Sequence, residues 1–420
     1  MSIWDFGRKV RMCVAGLGPR GTSQMKTLLE MEDVEFVGVC DIIEERAVKA
    51  ADIVAGKREG RRPQIFTDSH EMLEKVDAEA MLITTDWCSH IRIAIDAMKH
   101  GVRPAMEVGG ATDVFECWEL VRTSEQTGVP CMLLENCCFG KKEMTLLNMI
   151  KKDLFGDVVY CAGGYEHDLR DEIGKGDETH HYRMRNFKNR NGELYPTHEL
   201  GPIAQYLKIN RGNRMVTLTA MASRAAGQQA WMRANRGEEW KDVRFNEGDV
   251  VTTLIKCAGG EMISLTHNCS LPRPYSRGGV IQGTKGIWEE DNEGIYLDGI
   301  SPVDPKYWTH KWEKDEKYIE EYMHPLWKAY ESFGPRGGHD GMDYLALRSF
   351  VESVQKGCQP PIDVYDAAAW MSITCLSEQS IALGSTPVAI PDFTNGRWME
   401  NHPMPKSCFS LDTVHEDMFE

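Results

Sequence analysis

The sequence predicts an α/β domain with a doubly wound parallel sheet, followed by an α+β domain. The first third alternates short apolar runs with helical segments, which is typical of a doubly wound sheet. A glycine-rich loop follows the first apolar run directly. After about residue 140, longer segments of mixed alternation are separated by tight breaks, which predicts hairpins of an antiparallel sheet. We therefore expect a Rossmann domain over 1–138 and a second domain over 139–420.

Nearly continuous apolar runs predict the strands of the first sheet, because strands covered on both faces lack polar alternation. These runs occupy 11–18, 34–41, 78–85, 103–108 and 129–136. Helical segments lie between them, and several end in a glycine suited to a helix C-terminus, at Gly56, Gly101 and Gly128.

The remainder of the chain predicts antiparallel strands and two late helices. The strand candidates are 158–168, 215–223, 249–258, 261–270, 278–290 and 294–299. The helices are expected at about 339–357 and 364–384. The polar, proline-punctuated segment 389–420 is expected to be an extended tail.

Composition excludes several classes of partner. A net charge of -16 argues against nucleic acid and against an anionic membrane surface, since both need a basic footprint. The 13 cysteines include no Cys-x-x-Cys pair, which predicts reduced, mostly buried thiols. No signal peptide is visible and no apolar run approaches the ~20 residues of a membrane span, so we expect a cytoplasmic protein.

The glycine-rich loop predicts a dinucleotide site. Its residues are Gly16, Leu17, Gly18, Pro19, Arg20 and Gly21. In such loops the first glycine permits a tight turn, the second lets the backbone approach a pyrophosphate, and the third lets helix and strand pack closely. Asp41 ends the second apolar run and can accept hydrogen bonds from ribose hydroxyls while repelling a 2′-phosphate. The pattern favours NAD over NADP, with a glycine turn that binds no ligand as the alternative.

Further cofactor contacts are expected where other strands end, because ligands of open α/β sheets bind outside the carboxyl ends of the strands. Trp87 is a candidate stacking wall, with a packing role as the alternative, and Glu107 is a candidate ribose ligand. The remaining candidates are His90, Val108 and Asn136.

The glycine loop, Asp41 and the Glu107-Val108 pair together resemble the Gfo/Idh/MocA oxidoreductases. That architecture joins a Rossmann domain to a large, mostly antiparallel sheet. Sugar dehydrogenases of the group carry Glu-Lys-Pro where this chain has Glu107-Val108-Gly109. The lysine that helps to move the substrate proton is therefore missing here.

The second part of the chain is similar to glycoside hydrolase family 109, the NAD-dependent α-N-acetylgalactosaminidases. The similar segments are 163–170, 181–186 and 194–207, and the resemblance extends to Tyr275. Its most specific part is the block from Tyr195 to Pro202, in which Glu199 stands where the family usually has glycine.

The resemblance implies a redox-neutral hydrolysis of a small carbohydrate or glycoconjugate. Bound NAD would take hydride from carbon 3 of the sugar, which acidifies the proton on carbon 2. Elimination of the leaving group, addition of water and return of the hydride would complete the turnover.

Candidate roles combine this resemblance with residue chemistry. Histidine is the side chain best suited to exchange a proton near neutral pH, and His198 is the candidate general base or acid. Tyr165 and Tyr275 are the other catalytic candidates. The candidates for substrate or nicotinamide contacts are His167, Arg183 and Tyr195.

Three alternatives stay open. His180-His181 with His198-Glu199 could bind a metal, although no HExxH motif is present and we expect no catalytic metal. The chain could instead be an NAD-dependent sugar or polyol dehydrogenase, or a cofactor-binding protein without catalysis.

A homo-oligomer is possible because the large sheet of this architecture often forms a dimer face.

Overall fold

The apolar runs of the first third form a six-stranded parallel sheet. The computed structural model describes residues 7–304, 306, 309–400 and 403–419. The strands are β1 Val10–Ala15, β2 Val34–Cys40, β3 Gln64–Phe66, β4 Ala80–Ile83, β5 Arg103–Met106 and β6 Met132–Leu133. Their spatial order is β3-β2-β1-β4-β5-β6. The chain therefore adds strands on one side of β1 as far as β3 and then on the other side from β4 to β6. A reversal of this kind opens a crevice at the carboxyl ends of the strands.

Helices connect these strands and cover the sheet. They are α1 Pro19–Leu28, α2 Glu44–Lys57, α3 Ser69–Lys75, α4 His90–Lys99 and α5 Val114–Thr127. The side chains of Asp68 and Asp113 cap α3 and α5 by accepting backbone N–H groups of the first turn. Gly128 ends α5 in the left-handed conformation that the sequence predicted for a helix terminus.

The second sheet has nine strands and is mostly antiparallel. Its order is β16-β13-β12-β11-β7-β10-β9-β8-β17, and only the β7–β10 pair is parallel. The bounds are β7 Val158–Glu166, β8 Met215–Ala222, β9 Val251–Cys257, β10 Met262–Asn268, β11 Val280–Gly283, β12 Gly286–Glu289, β13 Gly294–Leu297, β16 Glu313–Lys314 and β17 Val388–Ala389. A separate two-stranded ribbon pairs β14 Val303–Asp304 with β15 Thr309–His310. The predicted fold class, a Rossmann domain plus a large mostly antiparallel sheet, is confirmed.

The remaining helices pack on this sheet or reach back to the first domain. They are α6 Lys141–Lys151, α7 Arg170–Gly174, α8 Gly176–Thr179, α9 Arg183–Asn189, α10 Thr197–Tyr206, α11 Gly227–Asn235, α12 Glu316–Glu321, α13 Pro325–Phe333, α14 Met342–Lys356 and α15 Val364–Ala382. Short 3-10 turns occur at Asn136–Phe139, Glu238–Trp240, His339–Gly341, Arg397–Met399 and Glu416–Met418. The two predicted late helices correspond to α14 and α15.

Two local expectations need correction. The short strand β3 was not predicted, because its three residues are too few to show an apolar run. The closing segment is not simply an extended tail, since Phe393, Phe409 and Leu411 are buried in the core. Because the segment is polar overall, its few apolar residues do not form a run that predicts burial. The division between residues 138 and 139 stays a prediction.

Two further properties bear on the composition. In the described part of the chain, no helix is both long enough and apolar enough to cross a membrane. All 13 cysteines are free, and ten of them are buried. The buried thiols are consistent with the predicted absence of a disulfide framework.

Candidate active site

The glycine loop between β1 and α1 has the geometry that a bound pyrophosphate requires. Gly16 has φ +91°, and a Cβ on it would lie 2.5 Å from the carbonyl carbon of Thr84. A Cβ on Gly21 would lie 2.0 Å from the carbonyl oxygen of Gly16, so any larger residue would push helix and strand apart. Gly18 faces open space, with only the Arg46 guanidinium within 4 Å. The backbone at Gly18 is therefore accessible at the N-terminus of α1, where anions bind.

Asp41 lies at the end of β2, next to this loop. One carboxylate oxygen accepts the backbone N–H of Leu17 at 2.6 Å and the other accepts that of Ile43 at 2.9 Å. These bonds hold the carboxylate at the edge of the cleft, and each oxygen keeps a second lone pair for a ribose hydroxyl. The residues fit NAD as the sequence predicted.

Arg20 and Glu107 form an ion-pair network that spans the cleft. Arg20 Nε donates to Glu107 at 2.7 Å, and the guanidinium donates to both oxygens of Asp343 on α14 at 2.6 and 2.9 Å. Asn136 donates to Asp343 at 2.8 Å. Burial alone would raise the pKa of Asp343, but hydrogen bonds from His339 and Arg20 hold it well below its usual range. Asp343 of α14 thus fixes the position of Arg20 at one wall of the cofactor cleft.

A single cleft of about 1440 Å³ joins this loop to the second domain. It is larger than the ~300–1,000 Å³ of a typical small-ligand pocket, which suits a dinucleotide together with a substrate. The predicted cofactor residues that line it are Gly16, Gly18, Pro19, Arg20, Gly21, Asp41, His90, Glu107, Val108 and Asn136. The other predicted residues that line it are Tyr165, Arg183, Tyr195 and His198.

His198 occupies the second residue of α10, at the end of the cleft away from Asp41. Its Nδ1 lies 2.9 Å from Oε1 of Glu135, which follows β6 and is fully buried. Burial alone would raise the pKa of Glu135, but the charge and hydrogen bond of His198 lower it below its ordinary value. The carboxylate therefore stays ionised, fixes the orientation of the ring and leaves Nε2 for the substrate.

Tyr165 stands beside His198 at the end of β7. The two rings are 5.4 Å apart edge to face, and the Tyr165 hydroxyl lies 3.1 Å from Nδ1 of His167. The guanidinium of Arg183 lies over the Tyr165 ring at 5.7 Å and over the Tyr195 ring at 4.9 Å. Burial raises the pKa of Tyr165 to about 12, although the Arg183 charge opposes that rise. Burial and Arg183 together lower the pKa of His167, so this imidazole is neutral and can accept the Tyr165 proton.

Arg183 carries polar atoms that no protein group satisfies. Its side chain is 8% exposed, and its Nε lies 2.9 Å from Glu172. Among the described residues, Nη1 of Arg183 is buried with no hydrogen-bond partner. A buried guanidinium N–H without a partner at the wall of a cleft is suited to a substrate oxygen.

Trp87 and Tyr275 do not line the cleft itself. Trp87 is 1% exposed and packs behind the cleft wall, with its ring 4.8 Å from that of Tyr182 and 5.6 Å from that of Tyr195. It is a core residue that supports the wall, not a stacking surface for the cofactor. Tyr275 is 53% exposed, and its ring centroid lies 5.1 Å from His167 and 6.2 Å from Tyr165. It therefore belongs to the edge of the site.

Val108 occupies the position of the lysine that similar dehydrogenases use. It is 3% exposed and lines the cleft with an apolar side chain. A Cβ on the next residue, Gly109, would lie 2.3 Å from the Trp87 ring, so the chain is packed tightly there.

Glu199 follows His198 in the chain but points to a different environment. A Cβ on Gly163 of β7 would lie 1.7 Å from Cγ of Glu199, so the glutamate packs against the bare backbone of that glycine. Burial raises the pKa of Glu199 well above its ordinary value, opposed by the charge of Arg277. Burial therefore favours the neutral form of this carboxyl.

Two of the histidines considered as metal ligands contact different carboxylates. His181 lies 3.5 Å from Glu172, and His198 pairs with Glu135. Glu135, Cys137 and His198 do form a group whose ligand atoms lie within 4.8 Å of one another. Burial raises the pKa of Cys137 well above its usual value, which disfavours the thiolate that a metal requires.

Two family models match this chain, one over the region of each large sheet. Residues 10–134 match the model of the oxidoreductase family with an NAD-binding Rossmann fold, and residues 139–400 match the C-terminal domain of glycosyl hydrolase 109. A glycosyl hydrolase family 109 protein of Stenotrophomonas maltophilia is 39% identical over 96% of this chain and 92% of its own. The chain belongs to glycoside hydrolase family 109. This family member is an NAD-dependent glycosidase, and it acts on a carbohydrate.

Other similarities support the family and the fold. An α-N-acetylgalactosaminidase of Tannerella forsythia is 35% identical over 94% of this chain and 88% of its own. Among solved structures, myo-inositol 2-dehydrogenase of Lactobacillus plantarum has a TM-score of 0.65 at 15% identity, covering 91% of this chain and 100% of that one. At that identity the likeness shows the Gfo/Idh/MocA fold alone.

The sequence did not reveal two parts of the site. It placed Glu135 at a strand end without pairing it to His198, which is 63 residues away. It contained no signal for Asp343, whose helix resembles any other amphipathic helix until the fold brings it to Arg20. An acidic residue directly after a strand was the available hint for Glu135.

Proposed function

We propose that this family 109 glycosidase hydrolyses α-N-acetylgalactosaminides by redox-neutral oxidation, elimination, addition of water and reduction. One observation carries the proposal: two proton-transfer pairs, His198–Glu135 and Tyr165–His167, meet at the end of the cofactor cleft away from Asp41. With the pyrophosphate at the glycine loop and the adenosine ribose at Asp41, that end receives the nicotinamide and the sugar. The names of the relatives supply the sugar and the anomer.

NAD, when bound, supplies a reversible oxidation at carbon 3 of the sugar. His198 Nε2 takes the proton of the hydroxyl on that carbon, because Nδ1 is already engaged with Glu135. The Glu135 carboxylate stabilises the imidazolium that results, and His198 gives the proton back when the hydroxyl on carbon 3 is restored. Val108 offers no group for this transfer, so the histidine replaces the missing lysine.

Tyr165 acts in the elimination. Its oxygen takes the proton from carbon 2 as its own phenol proton passes to Nδ1 of the neutral His167, so no free phenolate is formed. The Arg183 guanidinium over the ring stabilises the negative charge that develops. The electron pair of that C–H bond forms the carbon 1–carbon 2 double bond as the bond from carbon 1 to the leaving oxygen breaks. Tyr275, a neutral phenol at the edge of the site, gives its proton to that oxygen. Water then adds to carbon 1 and gives a proton to the Tyr275 oxygen, while His167 and Tyr165 return a proton to carbon 2.

Arg183 and Tyr195 position the sugar. The guanidinium lies over both aromatic rings and keeps a buried N–H for a substrate oxygen. A cation at this place also neutralises the negative charge that develops during the elimination.

Turnover of p-nitrophenyl α-N-acetylgalactosaminide in deuterium oxide tests the proposal. We expect released N-acetylgalactosamine to carry deuterium at carbon 2, and we expect no accumulation of NADH over many turnovers. Product without deuterium at carbon 2 would exclude the elimination route. NADH formed in proportion to a consumed sugar or polyol would instead identify the chain as a dehydrogenase.

The anomer and the sugar are tested with a panel of nitrophenyl glycosides. We expect the α-N-acetylgalactosaminide to give the highest kcat/KM, and the corresponding galactoside, which lacks the N-acetyl group, to be turned over poorly. Equal turnover of the two would contradict the proposed substrate.

A further inference from the structure

Two histidines and an aspartate from neighbouring helices cluster outside the active site. His70 lies in the first turn of α3, Asp96 in α4, and His100 directly after α4. One ring nitrogen of each histidine and a carboxylate oxygen of Asp96 lie within 4.8 Å of one another. The side chains are 58%, 28% and 28% exposed, so an ion can reach them from solvent.

The arrangement places both imidazoles on a single carboxylate. His70 Nδ1 lies 2.9 Å from one oxygen of Asp96, and His100 Nδ1 lies 3.4 Å from the other. The two rings meet edge to face with centroids 5.3 Å apart. Imidazole nitrogens and a carboxylate oxygen are both ligands of divalent transition-metal ions, and here all three groups lie within reach of one ion.

His100 also shows the second contact that metal-binding histidines usually make. Its Nδ1 lies 2.9 Å from the backbone carbonyl oxygen of Asp96, one turn earlier in α4. This contact holds the His100 ring beside Asp96, and rotation of the ring can present either nitrogen to an ion. Glu74 lies 3.6 Å from His70 Nε2, at the opposite edge of that ring from Asp96. It therefore orients the His70 ring from outside the group.

We propose that His70, Asp96 and His100 form a binding site for a divalent transition-metal ion such as Zn²⁺, joining α3 to α4. Two imidazoles and a carboxylate are ligands of Zn²⁺ at about 2.0–2.2 Å, with water in the remaining position. Small rotations of these exposed side chains bring the ligand atoms to that distance. Mg²⁺ and Ca²⁺ prefer oxygen ligands and are not expected to bind here.

The ion would act on the rim of the cofactor cleft. His70 and Asp96 lie on that rim, together with Thr67, Asp68 and Ser69 at the start of α3. Fixing α3 against α4 would therefore hold the adenosine end of the cleft in shape. This inference does not depend on the proposed glycosidase mechanism, because none of the three ligands touches the reacting end.

Titration calorimetry with Zn²⁺ on the chelator-treated full chain tests the site. We expect one Zn²⁺ per chain with a micromolar dissociation constant, and a rise of a few degrees in the melting temperature when Zn²⁺ is in excess. His70→Gln and His100→Gln should each weaken binding at least tenfold. His310→Gln, at an exposed histidine that contacts Tyr296, is the matched control and should bind as the wild type does.

Other outcomes would overturn the site. The proposal is wrong if no Zn²⁺ binds, or if both glutamine variants bind it as the wild type does. Binding that is lost in His198→Gln instead would place the ion at the group of Glu135, Cys137 and His198. Mg²⁺ that competes equally with Zn²⁺ would also contradict a site built on two imidazoles. If a variant fails to fold, as judged by circular dichroism, Co²⁺ absorption of the wild type still reports whether nitrogen ligands surround the ion.

Discussion

At the scale of single residues, adjacent positions in one helix differ sharply in their chemistry. His198 faces the cleft and Glu199 faces the sheet, although they are neighbours in the chain. Each glutamate near the site has its charge set by its surroundings. His198 favours the ionised form of Glu135 by pairing with it, whereas burial favours the neutral form of Glu199 and outweighs the attraction of Arg277.

This contrast gives a matched pair of isosteric substitutions. Glu135→Gln removes the charge that orients His198 and stabilises its protonated form, so we expect kcat to fall about 100-fold or more. Glu199→Gln replaces an already neutral side chain and should leave kcat within about threefold of the wild type. Steady-state kinetics with a nitrophenyl glycoside measures both, and the pH profile should change only for Glu135→Gln. Equal losses in the two variants would contradict the assigned roles.

Gly21 makes a second prediction at this scale. A Cβ there would collide with the carbonyl oxygen of Gly16, so Gly21→Ala should destabilise the protein by about 1–3 kcal/mol. The displaced loop should also weaken NAD binding at least tenfold. The control is Gly56→Ala in α2, where a Cβ meets nothing within 4 Å and alanine favours the helix. Fluorescence titration of the apo-protein with NAD distinguishes them, and unchanged affinity in Gly21→Ala would contradict the glycine's role.

At the scale of elements, α10 and β7 fit together through a complementary pair of residues. Cys161, Gly163 and Tyr165 alternate along one face of β7 and are buried, as is Gly164. Tyr165 contacts His198 and Gly163 receives Glu199, so one strand–helix contact aligns both catalytic rings. The unusual glutamate of α10 is accommodated because the facing residue of β7 has no side chain.

A double-mutant cycle tests that complementarity. Gly163→Ala alone places a methyl 1.7 Å from Glu199 Cγ, and we expect a loss of about 1–3 kcal/mol in the free energy of unfolding. In a Glu199→Gly background the same change should cost less than about 0.5 kcal/mol, since this variant also removes the Glu199 Cβ, which would lie 2.8 Å from the added methyl. Urea denaturation of the four proteins gives the coupling energy. Additive losses would show that the two residues do not share this contact.

At the scale of the whole molecule, α14 connects the second domain to the first. Arg348 is fully buried, and its guanidinium donates to both oxygens of Asp33 at 2.7 and 2.6 Å. Asp33 precedes β2 of the first sheet, and Gln355 donates to the same carboxylate. The same helix supplies Asp343 to Arg20 of the cofactor loop. The cleft is therefore shaped by both domains at once.

Asp33→Asn tests this connection. Loss of the carboxylate leaves the Arg348 charge without its counter-ion, and we expect a cost of about 3–5 kcal/mol in stability at pH 7. Burial alone would raise the pKa of Asp33, but Arg348 lowers it below the ordinary value. The stabilisation is thus present above the unfolded pKa near ~3.9 and is lost as pH falls through the folded pKa.

Denaturation from pH 7 to pH 3 should therefore show a weaker acid dependence in Asp33→Asn than in the wild type. Asp77→Asn is the control, because its pair with Arg11 is exposed and should contribute less than about 1 kcal/mol. Comparable losses from the two substitutions would show that the buried pair does not hold the domains together.

The sequence alone determined those features whose chemistry lies within one short segment. The glycine loop, the acidic end of β2, the strand–helix alternation and the block from Tyr195 to Pro202 were readable because neighbouring residues specify them. The sequence was not sufficient where a strand was too short to show an apolar run, as in β3. It was also not sufficient where one residue type is compatible with two environments, as with Trp87. A buried tryptophan and a stacking tryptophan have the same local pattern.

Tertiary structure decided the contacts between residues that are distant in the chain. It paired Glu135 with His198 across 63 positions and Arg20 with Asp343 across 323. It also turned Glu199 towards Gly163 and placed Trp87 behind the cleft wall. These outcomes depend on which strand end meets which helix face, and that is set by the packing of two sheets. Local sequence specified the cofactor loop, whereas packing assembled the proton-transfer pairs beside it.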